Sequence, residues 1–322
     1  PSRLIQEEKC IMRFDNRDDI IALTPQWKGE RFPDGRPKVP DHYLDEIRKM
    51  TLEELWKPIF VQGYENQFIG DMHTLHPEFG HDGHLEHKLI GRAVTAVYAP
   101  TRPDYYDTSF AQAAAEGRTG TPNQWVIDTL TDRDVLVVDM FDKIYKGTFL
   151  GGNLTTALRA KTHTGGAVIY GGIRDIEQMQ KVPDVQVYYR GIDPTPIRNF
   201  VMTGFNGPAR LGSGEHAVLC LPGDVVYGCS GGVLFIPPHL VIDVVDSGAK
   251  TQIKDTFGFE MITQNRFTTA QIDRNTWTEE MLDMLMDFIK NDPRGEAYRD
   301  LDWSREYDLA RNGDPNDTQS AL

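Results

Sequence analysis

An arginine and an aspartate stand side by side just after an apolar run. The run at residues 167–170 predicts a buried strand, and Arg174 and Asp175 follow it after two glycines. Open α/β sheets bind ligands at the carboxyl ends of their strands. A guanidinium there can hold a carboxylate or an enolate oxygen, and a carboxylate is a hard ligand for Mg²⁺ or Mn²⁺. Taken alone, such a pair is more often a surface ion pair. Gly171 and Gly172 favour a ligand site, because they would let a ligand approach the backbone.

A second candidate is a glycine-rich helix start. Gly151, Gly152, Asn153 and Leu154 connect a predicted strand to a helix over residues 154–161, for which Asn153 is the expected N-cap. Unpaired backbone N–H groups and the positive end of the helix dipole would favour a carboxylate or phosphate at this point. A plain glycine-rich turn is the alternative.

A third candidate is a cluster of imidazoles. His73, His76, His81, His84 and His87 fall within fifteen residues and could bind zinc or a similar ion. Their spacing is not that of two histidines on one helix face, and proline and glycine interrupt the segment. A solvated loop is therefore the favoured interpretation, and a metal site stays open as the alternative.

Composition narrows the remaining function classes. The 48 acidic and 34 basic residues leave a net charge of −14, which argues against a nucleic-acid partner. Three cysteines are too few for a disulfide framework and indicate a reducing compartment. The sequence has no apolar run of membrane-spanning length and no signal-peptide pattern at its start, so we expect a cytoplasmic protein without a membrane partner.

The elements that would position these residues alternate between strands and helices. Past residue 89, strand patterns at residues 89–98, 134–139, 167–170 and 185–189 alternate with helical ones, which predicts an α/β layered fold. Residues 1–50 are polar and broken by proline and glycine, so we expect residues 1–88 to form an extended arm that contributes little core. Within it, short helices are predicted over residues 41–49 and from Thr51 to Ile59.

Residues 247–322 form a C-terminal extension after a core at residues 89–246. Apolar residues at helical spacing predict a helix near residues 278–290. The acidic tail after Pro293 is expected to be mobile.

Several motifs in matching order resemble the RraA-like family. The family contains the regulator of ribonuclease activity A and divalent-metal-dependent 4-hydroxy-4-methyl-2-oxoglutarate aldolases. The resemblance covers roughly residues 89–246, and a longer branch of the family with similar extensions is the closest match. The matching segments are residues 151–154, 166–175, 190–191, 222–226 and 232–237.

The resemblance implies a swivelling α/β/α core, assembled as trimers or hexamers, with active sites between subunits. It implies that the loop of Gly151, Gly152, Asn153 and Leu154 binds a substrate carboxylate. It also implies that Arg174 holds the keto or enolate oxygen and that Asp175 anchors Mg²⁺ or Mn²⁺. The local pattern pointed to the same roles.

This chain departs from the family pattern at three positions. The family usually has acids where Gly152 and Tyr170 stand, and often one at Cys229. Fewer acids would therefore surround the metal. Asp139, Asp142, Lys143 and Tyr145 are possible substitutes, and Asp255 and Glu260 are candidates for an acid from a neighbouring subunit.

Three hypotheses follow for the function. The first is a metal-dependent lyase that acts on a small 2-oxo acid or a sugar-acid-derived substrate through an enolate, by retro-aldol cleavage, decarboxylation or dehydration. The second is a non-catalytic regulatory or binding protein, against which Asp175 argues because regulators characteristically lack an acid after the arginine. The third is a metal-binding histidine loop on an incidental family core.

Overall fold

A computed structural model of the protein describes residues 16–77 and 88–313. The strands in this part of the chain are β1 (Phe68–Ile69), β2 (His73–Thr74), β3 (Leu89–Pro100), β4 (Asp134–Leu150), β5 (Gly166–Ile173), β6 (Gln186–Ile192), β7 (Phe200–Phe205), β8 (Ala209–Leu211), β9 (Val218–Cys220), β10 (Val225–Cys229) and β11 (Gly232–Ile236). The α-helices are α1 (Arg17–Leu23), α2 (Asp41–Arg48), α3 (Leu52–Phe60), α4 (Pro103–Ala115), α5 (Pro122–Thr129), α6 (Gly152–Thr162), α7 (Ile176–Met179), α8 (Val241–Thr263), α9 (Thr269–Ile272), α10 (Glu279–Asn291) and α11 (Ser304–Asn312).

Nine of the described strands form one mixed sheet. Strands β3, β4, β5 and β6 are neighbours in sequence order and run parallel. On one side β10, β11 and β1, and on the other side β2, each pair antiparallel with their neighbours. The far end of β3 also pairs with β7, and β8 and β9 form a separate two-stranded sheet. The predicted α/β fold class is confirmed.

The parallel strands are buried because apolar residues cover the sheet on both faces. All eight residues of β5 are buried, as expected for a strand with packed layers on both sides. One face carries a core that includes Trp125 of α5 and Leu158 of α6. The other carries a core that includes Leu211 of β8 and Phe235 of β11. Helical crossovers between the parallel strands leave their carboxyl ends at one edge of the sheet.

Strand β4 is much longer than the predicted strand at residues 134–139. Its pairing with β5 is regular from Val135 to Asp139 and then shifts register three times before Leu150. Within this irregular part, Phe141, Asp142 and Lys146 adopt positive φ angles. The chain therefore makes an excursion over residues 141–147 before it rejoins β5 and enters α6.

The segment before residue 50 is not the coreless arm that its polarity predicted. Helix α2 confirms the helix predicted over residues 41–49, whereas α1 was not predicted. Ile20, Val39, Leu44 and Ile47 are fully or almost fully buried. Buried Arg36 also bonds the carboxylate of Asp134 at 2.7 Å. Apolar side chains without a clean period contribute this core, which is why the sequence predicted α2 but not the buried residues before it.

The chain divides into two compact units. Described residues of the first lie within 16–52 and 59–241, and those of the second within 53–58 and 242–313. The second unit has its own core, which includes Phe257, Trp277, Leu285 and Trp303.

Helix α10 confirms the predicted helix, with Thr278 accepting a hydrogen bond from the N–H of Met281 as its N-cap. The expectation of a mobile tail after Pro293 is wrong as far as residue 313, because a 3₁₀ turn at Pro293–Tyr298 and α11 lie there.

No helix in the described ranges is long and apolar enough to cross a membrane.

Candidate functional site

Helix α6 begins where β4 ends. Gly151 is its N-cap in an extended conformation, and the helix starts at Gly152. The predicted N-cap, Asn153, instead lies in the first turn with its side chain exposed, and Leu154 is half-buried. An asparagine cap is not needed here, because Oδ2 of Asp175 lies 3.4 Å from the N–H nitrogen of Gly152. The acceptor for the helix start comes from the next loop along the sheet.

That next loop follows β5 and carries Arg174 and Asp175. Asp175 has a left-handed backbone (φ 56°, ψ 38°), which aspartate tolerates better than most residues. Its carbonyl oxygen accepts hydrogen bonds from the N–H groups of Gln178 and Met179, both at 2.9 Å. The N–H of Arg174 donates to the carbonyl of Leu150 at 3.0 Å, which joins the loop to the end of β4.

Arg174 and Asp175 form an exposed pair beside the helix start. Their side chains are 39% and 35% exposed, and Nε of Arg174 lies 3.7 Å from Oδ2 of Asp175. Solvent can therefore reach both groups, and a ligand could replace it. The structure brings together Gly151, Gly152, Arg174 and Asp175, as the sequence predicted, at the carboxyl edge of the parallel strands.

Side-chain atoms of residues 174–178 lie close to both glycines of the helix start. A Cβ atom on Gly151 would lie 2.5 Å from Oδ2 of Asp175 and 3.2 Å from Nε of Arg174. A Cβ atom on Gly152 would lie 2.6 Å from Oε1 of Gln178. Gln178 thus occupies the space beside Gly152 that an acidic side chain at position 152 would enter.

Gly171 and Gly172 serve a different purpose from the predicted one. A Cβ atom on Gly171 would lie 2.7 Å from Cβ of Met140, and one on Gly172 would lie 2.9 Å from the carbonyl oxygen of Ile144. The β4 excursion covers these two glycines. They admit the protein's own backbone, so the expectation that they admit a ligand is wrong.

Tyr170, at the second departure, is part of a polar cluster. The guanidinium of Arg190 lies 5.3 Å from the centre of the Tyr170 ring. Asp71 and Asp142 pair with Arg190 at 2.7 Å and 3.1 Å. Burial, reinforced by the negative charge of Asp142, raises the pKa of the Tyr170 hydroxyl. An aspartate at position 170 would add a third carboxylate to one guanidinium, whereas the tyrosine ring stacks on it.

The proposed substitute acids and bases have other contacts. Asp139 accepts a hydrogen bond from the N–H of Phe141 at 2.9 Å, and burial raises its pKa. Tyr145 is 61% exposed, with the ammonium of Lys146 over its ring. None of these four residues forms a hydrogen bond or ion pair with Asp175; they are Asp139, Asp142, Lys143 and Tyr145.

Cys229 lies at the opposite edge of the sheet. Its neighbour Gly228 pairs with Leu89, the first residue of β3, so Cys229 stands at the amino edge of the parallel strands. The departure at this position therefore does not alter the surroundings of Asp175 within one chain. Its carbonyl accepts a hydrogen bond from the hydroxyl of Tyr188 at 2.8 Å.

The histidine cluster is only partly described. His81, His84 and His87 lie outside the described residues. His73 belongs to β2, and its ring centre lies 5.6 Å from that of Tyr189. The backbone of His76 bonds the side chain of Gln186. Both described histidines thus contribute to the edge of the sheet at β6.

The described residues contain no group of three or more His, Cys, Asp or Glu side chains that could hold a metal ion. The carboxylate beside the helix start at this corner is that of Asp175. Mg²⁺ often binds through one or two carboxylates and keeps several waters or substrate oxygens. The Asp175 carboxylate fits a metal ion that keeps several waters or substrate oxygens, and does not by itself fit a metal held by protein ligands alone.

Asp255 and Glu260 both lie on α8 of the second unit. Burial raises the pKa of Asp255, and Glu260 pairs with Arg294. Their suggested role as acids from a neighbouring subunit remains a prediction.

Comparison with known proteins places the chain in a family. The model of the RraA-like family, described as Aldolase/RraA, matches residues 65–235, more than half of the chain. The chain belongs to the RraA-like family. Its Arg174–Asp175 pair and its helix start at Gly152 both fall inside the RraA-like match. No curated protein matches the chain.

Solved structures share the RraA-like fold at low sequence identity. One is RraAS2 of Streptomyces coelicolor, described as an unusual member of the RNase ES inhibitor RraA protein family (20% identity, 69% of this chain and 97% of that chain, TM-score 0.55). Another, described among novel cellulases from gut-associated microbes, has 20% identity over 75% of this chain and 96% of that chain (TM-score 0.56). An uncharacterized protein from Pseudomonas syringae pv. tomato has 18% identity over 76% and 98% (TM-score 0.54). These likenesses show the fold.

Proposed function

We propose that this RraA-like protein is a divalent-metal-dependent lyase that acts on a 2-oxo acid or a related sugar-acid derivative through an enolate. Retro-aldol cleavage, decarboxylation and dehydration all develop negative charge on the oxygen next to the reacting carbon. The observation that supports the proposal is the convergence of Arg174, Asp175 and the α6 start at one exposed corner. Membership of the RraA-like family, whose model is described as Aldolase/RraA, also supports the proposal.

Each group has a role that follows from its chemistry. The Arg174 guanidinium is half-exposed and can hold an oxyanion as its charge develops. The backbone N–H of Gly152 and the dipole of α6 favour a carboxylate at the helix start. That position is taken in this structure by Oδ2 of Asp175. A substrate carboxylate therefore binds there only when the Asp175 side chain rotates away from Gly152.

Asp175 would hold Mg²⁺ or Mn²⁺, with substrate oxygens and water completing the ligand set. When bound, the metal would supply Lewis-acid stabilisation of negative charge on the substrate. Rotation of the Asp175 carboxylate would serve both needs, because it frees the Gly152 N–H for the substrate and turns the carboxylate towards solvent.

A non-catalytic binding protein is the second candidate. The small number of acids supports it, since Gly152 and Tyr170 replace usual family acids and Gln178 fills the space beside Gly152. The structurally similar RraAS2 is described as a member of an inhibitor family. Asp175 again separates the two candidates, because a carboxylate after the arginine has a use in metal-dependent catalysis.

Asp175→Asn tests the proposal with little disturbance of the backbone. Asparagine also tolerates a left-handed conformation and keeps an oxygen for the N–H of Gly152, but it removes the negative charge. Pyruvate release from a panel of 2-oxo acids such as oxaloacetate would be measured with Mg²⁺ or Mn²⁺, with and without EDTA. We expect turnover to fall by about 10²–10³-fold.

Asp184→Asn is the matched control. Asp184 also has a left-handed backbone (φ 52°) and an arginine partner, Arg159 at 3.3 Å, but it is exposed and outside this corner. The control should keep wild-type turnover. Calorimetry should also show metal-dependent binding of oxalate, a planar mimic of an enolate, to wild type and not to Asp175→Asn. An absence of both turnover and oxalate binding in the wild type would favour the binding-protein candidate.

A further inference from the structure

A cavity of about 180 Å³ lies in the first unit, away from the Arg174–Asp175 corner. Its wall includes Leu23, Trp27, Leu221 and Pro237, which provide a mainly apolar lining. A cavity of ~150 Å³ with such a lining can bind a molecule as large as benzene. This space is therefore large enough for a small organic ligand with an aromatic or branched aliphatic body.

The wall also contains a buried carboxyl group. Asp224 is 3% exposed, and its Oδ2 accepts a hydrogen bond from the N–H of Leu221 at 2.8 Å. Burial raises the pKa of Asp224 to about 7. Among the described residues, no Lys, Arg or His side chain forms an ion pair with it. A buried carboxylate without a cation is costly unless it is protonated or gains a partner.

Another buried aspartate of the same unit shows what such a partner provides. Asp134 is fully buried, and the guanidinium of buried Arg36 bonds both of its oxygens at 2.7 Å and 3.3 Å. At the cavity, Arg31 reaches Thr24 in the wall, but its N–H groups bond the carbonyl oxygens of Thr24, Trp27 and Gly35. Asp224 thus lies beside an apolar space that could admit a cation from outside.

The other titratable groups in the wall contact each other. The hydroxyl of Tyr64 and Nε2 of His239 are 3.0 Å apart. Asp224 is the carboxylic acid among the residues of the wall. An anionic ligand would meet its carboxylate, whereas an ammonium group would neutralise it.

We propose that this cavity binds a small organic ammonium ion, in which an amino group on an apolar body of about benzene size pairs with the Asp224 carboxylate. The apolar body would pack against Leu23, Trp27 and Pro237. The ammonium group would take the role towards Asp224 that Arg36 takes towards Asp134. This site is separate from the proposed lyase site, so either can fail without the other.

The experiment is calorimetric titration of the full chain at pH 8 with benzylamine, benzyl alcohol and benzoate. The three probes have similar bodies and differ in charge. We expect benzylamine to bind at least tenfold more tightly than benzyl alcohol, and benzoate not to bind. Asp224→Asn should lower the affinity for benzylamine at least tenfold and leave that for benzyl alcohol unchanged.

Two further variants separate a ligand site from a folding defect. Leu219→Trp, at a half-exposed position in the wall, should fill the cavity and abolish binding of benzylamine and benzyl alcohol. Asp184→Asn should bind both as wild type does. Equal affinity of the wild type for benzylamine and benzyl alcohol would overturn the proposal. Unchanged benzylamine binding by Asp224→Asn would also overturn it.

Discussion

Asp134 and Asp224 are buried carboxyl groups of one unit in different electrostatic surroundings. Asp134 bonds Arg36 and also accepts hydrogen bonds from the N–H and hydroxyl of Thr131. The carboxylate of Asp224 accepts a hydrogen bond from the N–H of Leu221, and the nearby Cys220 thiol is also buried. Desolvation without a cation therefore dominates at Asp224 and raises its pKa to about 7.

This raised pKa sets the sign of a pH effect on stability. The folded protein holds the Asp224 proton up to about pH 7, whereas the unfolded chain loses it near the ordinary value of 3.8. Folding stability from this group therefore falls as pH rises between those two values and is constant above them. Each pKa unit corresponds to about 1.4 kcal/mol.

Asp224→Asn should remove this dependence. Between about pH 5 and pH 8, we expect the wild type to lose on the order of 3 kcal/mol of unfolding free energy more than the variant does. Urea denaturation of both proteins across this range would measure the difference. Parallel pH profiles for the two proteins would show that Asp224 does not titrate in this range when folded.

At the scale of elements, the β4 excursion and the glycines of β5 depend on each other. The excursion over residues 141–147 packs on Gly171 and Gly172, whereas Gly151 packs on the side chains of Arg174 and Asp175. A methyl group on Gly171 would meet Cβ of Met140, and one on Gly172 would meet the backbone of Ile144. At Gly151 it would meet side-chain atoms that can rotate.

Gly171→Ala should therefore affect mainly stability, and Gly151→Ala mainly turnover. Gly171→Ala should lower the free energy of unfolding by ~1–3 kcal/mol, because a buried strand has no room for a methyl group. Gly151→Ala should change it by roughly 0.5 kcal/mol or less and impair turnover, because it displaces the Asp175 carboxylate. Urea denaturation and the 2-oxo-acid assay would be run on both. Full turnover by Gly151→Ala would contradict the role of this corner.

At the scale of the whole molecule, exposed apolar side chains lie near the proposed lyase site. Tyr145 is 61% exposed on the β4 excursion. Ile192 is 54% exposed at the end of β6 and pairs in register with Ile173, the residue before Arg174. A subunit contact at this edge of the sheet would cover both side chains and enclose the site.

The resemblance to the RraA-like family implies trimers or hexamers, so we expect one of these in solution. Light scattering should give a mass near three or six times 36.5 kDa. Joint Tyr145→Glu and Ile192→Glu substitution should reduce that mass and the turnover, because it places charge in the contact. Val61→Glu, at a position that is 70% exposed, is the control and should leave the mass unchanged. A fully active wild-type monomer would contradict a shared site.

The sequence by itself determined the α/β class and the residues of the candidate corner. Continuous apolar runs such as residues 167–170 report burial on both faces of a sheet, and strands that alternate with helices place their carboxyl ends at one edge. Arg174, Asp175 and the glycine-rich helix start could be assigned to that edge without coordinates. These are local signals that a single element carries.

Tertiary structure alone decided what each of these residues contacts. The carboxylate of Asp175 caps α6, Gln178 fills the space beside Gly152, and the β4 excursion covers Gly171 and Gly172. The cavity at Asp224 joins residues 23–27 with residues 219–239. Such contacts join positions far apart in the chain, and their free energies depend on burial and distance, which no local pattern encodes.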